Sequence, residues 1–164
     1  MNARLVGAAI ASGVLIADQV AKQAVLSLPP EGPPTPVGPF LTLTLRFNRG
    51  VSFSFLANSS TFGPRFLLVL TLAACCLLSW WLVRSRSSLV AAGLGAIIGG
   101  ALGNALDRFR HGAVVDYLDL HVGETHFFVF NLADAAINVG VCLLLIDLFF
   151  GARLKTSNQS GFAD

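Results

Sequence analysis

Seven side chains able to do chemistry, Asn104, Asp107, Arg108, Asp116, Asp119, Asn131 and Asp134, fall within 31 consecutive residues flanked by apolar runs. A carboxylate near hydrocarbon loses hydration, so each one must be paired, protonated or put to chemical use. Asn104 and Asp107 stand at i,i+3 and share one helical face; Asn131 and Asp134 repeat the spacing. The second pair also has the form of a capping box, an Asn N-cap with an acidic residue three positions on. Asp107 and Arg108 can equally form an interfacial ion pair, and Asp119 can be a solvated strand residue. No serine sits in a nucleophile motif, no His-Glu-x-x-His occurs, and His111, His121 and His126 lack metal-ligand spacing. Carboxylates are therefore the chemistry on offer. Two aspartates brought face to face share one proton: the ionised member draws a proton from water while the other polarises a carbonyl, which hydrolyses a peptide bond. Asp116, in Val114-Val115-Asp116-Tyr117, and Asp134, at the head of an apolar run, both stand at an outer boundary.

The elements that must position these residues are apolar. Hydrophobic residues make up 54% of the chain and charged ones 12%, against about 45–50% and about 25% in ordinary soluble domains. Two uncharged stretches, 66–83 and 89–106, are each 18 residues long, which at about 1.5 Å per residue approaches a hydrocarbon thickness of about 30 Å. Residues 5–17 continue past Asp18 and Lys22 to about 28, and 135–150 are interrupted only by Asp147. Four transmembrane spans are predicted, at about 5–28, 66–83, 89–106 and 135–150. The chain reads as a single membrane-embedded domain over 1–164, an α-helical integral membrane protein. Arg4 before a short apolar region resembles a secretory signal peptide, but continuation beyond Ala17 counts against cleavage. Asp18 and Lys22, at i,i+4, form a structural pair turned inward against other helices.

Four spans put both termini on one side, and the short loop Arg84-Ser85-Arg86 assigns that side to the cytoplasm. Two outer segments remain, about 29–65 and 107–134, each too long to be a mere connector. The first opens with a stiff Pro-rich stretch, Pro29-Pro30-Glu31-Gly32-Pro33-Pro34, and then alternates from Leu41 to Phe47 as a half-buried strand does. Asn48-Arg49-Gly50 is turn-like, and 51–55 alternate again. A small β-sheet platform on the outer, periplasmic surface is expected, its Leu41/Leu43/Leu45/Phe47 face covering the helices or holding an apolar ligand. The net charge of +2 comes with no dense basic run, which leaves nucleic acid without an electrostatic footprint. Cys75, Cys76 and Cys142 lie in apolar runs and read as buried small hydrophobes.

The ordered set Asp18-Gln19-x-x-Lys22, Asn48-x-Gly50, Gly103-Asn104-x-x-Asp107-Arg108, Gly112-x-Val114-Val115-Asp116-Tyr117 and Phe130-Asn131-x-Ala133-Asp134-x-x-Ile137 closely resembles the bacterial lipoprotein signal peptidases, or signal peptidase II. The resemblance implies an inner-membrane aspartyl endopeptidase that removes signal peptides from prolipoproteins, cutting just before a cysteine that carries a diacylglyceryl group. Asp116 and Asp134 match the family's catalytic pair, with Asp107 the competitor for the first place. Asn104, Arg108 and Asn131 match positions that hold the dyad and the substrate backbone, Ala133 lies in the same motif, and Asn48 with Gly50 matches a substrate-facing turn. The chain departs from the pattern at Arg49-Gly50-Val51-Ser52, which puts that turn's contacts in doubt. Lipidated prolipoproteins and membrane lipid are the implied partners, with no cofactor, no metal and a monomeric protein expected. The rival readings are a small ion- or proton-binding transporter and a non-enzymatic membrane scaffold; a ladder of aspartates through the bilayer favours transport, whereas two at one boundary favour hydrolysis.

Overall fold

The structure, a computed structural model, describes residues 2–27, 34–50 and 62–157. Among them are four helices, α1 (Ala3–Leu26), α2 (Phe62–Arg84), α3 (Ser88–His111) and α4 (Leu132–Ser157), each containing a stretch long and apolar enough to cross a membrane. Strands β1 (Thr35–Pro36) and β2 (Leu41–Asn48) lie between α1 and α2, and β3 (Val114–Val122) and β4 (Thr125–Phe130) between α3 and α4. The strands form one antiparallel sheet in the order β1-β2-β3-β4.

Local chemistry sets the helix ends. Asn2 accepts the Arg4 N–H at 3.1 Å to start α1, and Ser87 accepts the Val90 N–H at 3.3 Å to start α3. At the far end of α3, Gly112 adopts a φ of +67° and donates its N–H to the Arg108 carbonyl, a left-handed cap that a side chain would strain. The helix thus runs past the expected boundary at 106 and carries Asp107 and Arg108 on its last turns. Hydropathy ends a span at the first charge, whereas the backbone continues helical where that charge is paired internally.

The central helix is α3: most of its apolar window is buried, whereas those of the other three are largely exposed. Small residues allow this. A Cβ at Gly95 would meet the Gly7 carbonyl of α1, and one at Gly100 would meet the Ala133 carbonyl of α4, so both neighbours approach α3 backbone to backbone. At the end away from the sheet, Ala3, Leu82, Val90, Ala91, Leu94 and Ile98 form a buried apolar cluster. Leu70, Leu77, Trp80, Val139, Leu148 and Phe149 face outward, a surface that water would not tolerate and hydrocarbon does. Cys75 is buried, but Cys76 and Cys142 are exposed on α2 and α4, contrary to expectation. In a membrane helix an apolar position is as readily on the outer face as in the core.

The expected small sheet is present and draws on both outer segments. The second alternating stretch at 51–55 and most of the Pro-rich stretch, 29–33, lie outside the described residues. Strand β2 pairs with β3 from the second outer segment, Leu41 opposite Leu120, Thr42 opposite Asp119 and Asn48 opposite Val114. A register shift between Leu43 and Arg46 breaks the apolar face of β2, because a bulge rotates one half of a strand against the other. Thr42 is consequently buried, while Phe47 is 52% exposed.

Candidate active site

The sheet connects the helices that carry the polar residues. β3 follows α3 directly, and its pairing with β4 sets Leu118 opposite Phe130, so Asp116, two residues back along β3, lies beside the point where the chain leaves β4 for α4. Asn48 and Asp116 are diagonal neighbours on one face of β2 and β3. Asn48 Nδ2 donates to Asp116 Oδ2 at 2.9 Å, and Asn131 Nδ2 donates to Asp116 Oδ1 at 2.7 Å. Asn48 Oδ1 also accepts the Gly50 N–H at 2.8 Å, a turn in which Gly50 takes a φ of +72°.

Asn131 caps α4. Its Oδ1 accepts the Asp134 N–H at 2.9 Å, and its own N–H donates to Asp134 Oδ2 at 3.2 Å, a reciprocal capping box. The Asn131 side chain that caps α4 also reaches Asp116. Asp134 Oδ1 accepts from Asn104 Nδ2 at 2.9 Å, and Asn104 Oδ1 accepts from Asn131 Nδ2 at 3.2 Å. Asp116 is buried and Asp134 is half-buried.

Asp18 and Lys22 of α1 are fully buried and 2.9 Å apart. Asp107 joins them, its Oδ2 2.7 Å from Lys22 Nζ and accepting the Val115 N–H at 3.1 Å. The ion pair of Asp107 is therefore with Lys22 of another helix rather than with its neighbour Arg108. Arg108 Nη1 donates to the Asn104 carbonyl at 3.4 Å, its Nε is buried with no partner among the described residues, and the guanidinium feels the charges of Asp134, Asp107 and Asp116. Ala133 contributes its backbone: its N–H donates to Asp18 Oδ1 at 3.0 Å. Gly103 lets α1 approach, since a Cβ there would collide with Asp18 Oδ2.

Two residues inside the quoted motifs join the site without having been assigned a role. Gln19 Nε2 donates to Asp18 Oδ2 at 3.2 Å, Asp107 Oδ1 at 3.2 Å and the Gly103 carbonyl at 3.3 Å. Tyr117 Oη accepts the Leu132 N–H at 3.3 Å. The sequence signal for Gln19 is an amide beside Asp18 on an apolar helix, where an unsatisfied amide is costly. Asp119 is not brought to the site and is not solvated: it is buried on the sheet with Oδ2 2.8 Å from His126 Nδ1.

Burial raises the Asp116 carboxyl above the ordinary carboxylate range; the Asn48 hydrogen bond opposes this and the Asp134 charge adds to it. Burial likewise raises the Tyr117 hydroxyl. Beside this polar cluster an apolar groove of about 320 Å³ lies between α1, α2 and α3, lined by Leu15, Leu68, Leu72, Leu102, Leu106 and Phe109 among others.

Membrane-crossing helices, a four-stranded sheet and a carboxylate cluster at one end of the bundle define a multi-pass membrane protein with a polar site where sheet and bundle meet. The family model described as signal peptidase (SPase) II matches residues 10–150, which contain every motif quoted above. The chain is 46% identical to the lipoprotein signal peptidase of Methylocella silvestris, across 93% of this chain and 91% of that one. It is 48% identical to that of Polynucleobacter necessarius, across 84% and 85%. A solved bacterial membrane enzyme superposes with a TM-score of 0.75 at 28% identity, covering 87% of this chain and 92% of the other. The chain belongs to the signal peptidase II family.

Proposed function

We propose that this protein is an aspartyl endopeptidase that removes signal peptides from diacylglyceryl-modified prolipoproteins, cutting just before the lipidated cysteine, with Asp116 and Asp134 as its catalytic pair. The observation that carries the reading is the bridge: Asn131 holds Asp116 through its side chain and Asp134 through its side-chain oxygen and backbone N–H. One residue thereby fixes the two carboxylates relative to each other. The raised Asp116 keeps the shared proton and donates it towards the scissile carbonyl oxygen. Half-buried Asp134 takes a proton from water as the water oxygen bonds to the carbonyl carbon; the C–N bond then breaks as Asp134 returns that proton to the leaving nitrogen, and one hydroxyl of the gem-diol gives its proton back to Asp116 as the new carboxyl forms. Arg108 Nε, buried and without a partner among the described residues, and the exposed Asn48 turn are the groups we assign to the substrate backbone. The apolar groove suits an acyl chain or an apolar peptide helix.

On this reading the whole chain forms one peptidase domain, monomeric in the bacterial inner membrane, with both termini cytoplasmic and the sheet and site at the outer face. Asp18, Asp107, Asp116 and Asp134 are linked into one cluster rather than spaced along the helices, which disfavours transport. The test is to incubate purified protein in detergent with lipidated and unlipidated forms of one prolipoprotein and read the new N-terminus by mass spectrometry. Cleavage of the lipidated form, with cysteine exposed, is expected. No cleavage of either form sinks the proposal, and equal cleavage of both removes its lipid requirement.

A further inference from the structure

We propose that Lys22 is a positioning residue for Asp134: its ammonium fixes the orientation of the Asn104 amide, and that amide in turn presents the N–H that holds the carboxylate. The inference rests on the assignment of Asp134 as catalytic. A primary amide can be turned over, exchanging its oxygen and its NH2, and only its neighbours decide between the two arrangements. On one side Asn104 meets two donors, Lys22 Nζ at 3.0 Å and Asn131 Nδ2 at 3.2 Å, and on the other it meets only Asp134 Oδ1, at 2.9 Å. Oxygen must face the donors and NH2 the carboxylate. Turning the amide over would set NH2 against an ammonium and an amide oxygen against a carboxylate.

Of the two orienting donors, Lys22 is the nearer and the charged one, and charge-assisted hydrogen bonds are the stronger. The orientation of Asn131 is fixed separately, by its acceptance of the Asp134 N–H. Three acceptors, Asp18 Oδ2, Asp107 Oδ2 and Asn104 Oδ1, match the three hydrogens of the ammonium, which is 1% exposed. Neutralising Asp18 and Asp107 accounts for two of those contacts. The third goes to the one amide that reaches Asp134 from α3.

Two substitutions separate positioning from charge balance. Lys22→Met removes both donor and charge, whereas Lys22→Gln removes the charge and keeps a shorter N–H donor. Each is also made with Asp18→Asn, so that one fewer carboxylate is left without its cation. In folded protein, Lys22→Met should lower kcat by about 100-fold, the size of loss that a misplacement of about 1 Å causes, with KM for a lipidated substrate within about twofold. Lys22→Gln should recover about tenfold of the loss. Adding Lys22→Met to Asn104→Ala should cost nothing further, because the two act in one chain. Losses that multiply, a loss appearing in KM, or equal rates for Met and Gln would overturn the proposal.

Should every Lys22 variant fail to fold, Asn104→Asp decides instead. It keeps an acceptor for Lys22 but sets a carboxylate oxygen against Asp134 where the N–H was, so folded protein should lose kcat by about 100-fold or more; a normal kcat overturns the proposal. Asp134→Asn distinguishes the two assignments. If that variant turns over normally, the catalytic assignment falls; if it is inactive while Lys22→Met and Asn104→Asp keep their kcat, the role of Lys22 alone falls.

Discussion

Two pairs of aspartates stand at the sheet end of the bundle, within one hydrogen-bonded network, and they differ in what faces them. Asp18 and Asp107 clamp a single ammonium at 2.9 and 2.7 Å, and each also accepts a backbone N–H, from Ala133 and Val115 respectively. Among the described residues, Asp116 and Asp134 accept only from amides: Asn48, Asn131 and Asn104 side chains and the Asn131 backbone. A carboxylate that clamps a buried cation balances that cation's charge in low dielectric, and removing it leaves the cation uncompensated. One held by neutral amides compensates no cation by direct contact. Residue type does not separate Asp107 from Asp116; Lys22 does. That difference favours Asp116 as the partner of Asp134 in the mechanism proposed above.

The largest effects should come from removing the exchangeable protons. Asp116→Asn and Asp134→Asn are each expected to lower turnover by about 10³-fold or more while the protein stays folded, since Asn is isosteric but can neither share the proton nor act as base. Asp107→Asn should behave differently. It should lower stability by about 3 kcal/mol, because Lys22 loses one of its two counter-charges, yet leave more cleavage per folded molecule than either of the others. Thermal unfolding in detergent, set beside the cleavage rate, checks both halves. An Asp107→Asn protein as inactive as Asp134→Asn, alongside an active Asp116→Asn, would exchange the two pairs.

Packing around the locked pair gives a smaller effect. Gly103→Ala would drive a methyl group onto Asp18 Oδ2, which is held between Lys22 and Gln19 and has little room to move. About 1–3 kcal/mol of destabilisation is expected, the usual range for overpacking, read as a lowered Tm.

pH acts on the exchangeable pair. The folded protein holds the Asp116 proton more tightly than the unfolded chain does, because burial raises that carboxyl. The stability it contributes is therefore fully present below the ordinary aspartate pKa, and is lost as pH rises through the raised value. Activity should fall over the same window on the alkaline side, as the shared proton leaves. Acid should remove the base, and the resulting bell belongs to the pair rather than to either residue. A kcat/KM profile on a lipidated substrate, with folding followed separately, tests this; no alkaline fall in folded protein would count against a shared proton.

What could be read in advance follows the range of the forces involved. Apolar runs, two of them uncharged throughout, identify the four spans, because lipid acts on each helix separately. β2 was readable from its alternation, but β3 was not: its first four residues, Val114 to Tyr117, are all buried, so period 2 is blurred. The Asn131 and Asp134 spacing suggested a cap, and the cap is there; that Asn131 also reaches Asp116 depends on the hairpin bringing β3 back beside it. Lys22 beside Asp18 was visible one helical turn apart, whereas its contacts with Asp107 and Asn104 cross 85 and 82 positions of sequence. Burial of Asp119 was missed for the same reason, since its partner arrives across a turn.

Asp119 supplies the smallest test, because it fits neither pair. It is buried, yet its hydrogen-bond partner is His126, which is 59% exposed. Three positions from Asp116 along β3, it points to the opposite face of the strand. His121 beside it is already hydrogen-bonded at both ring nitrogens, Nδ1 with the Gly123 carbonyl at 3.2 Å and Nε2 with Thr42 Oγ1 at 2.8 Å. His126→Ala therefore removes one screened, largely exposed partner and nothing from the bridge through Asn131. Stability should fall by about 1 kcal/mol, because buried Asp119, whose Oδ1 already lacks a partner among the described residues, loses its partner at Oδ2 as well, and cleavage should stay within about twofold. A tenfold loss of kcat in folded His126→Ala protein would bring the far face of the sheet into the reaction, and charge compensation by Lys22 would no longer be enough to tell working carboxylates from structural ones.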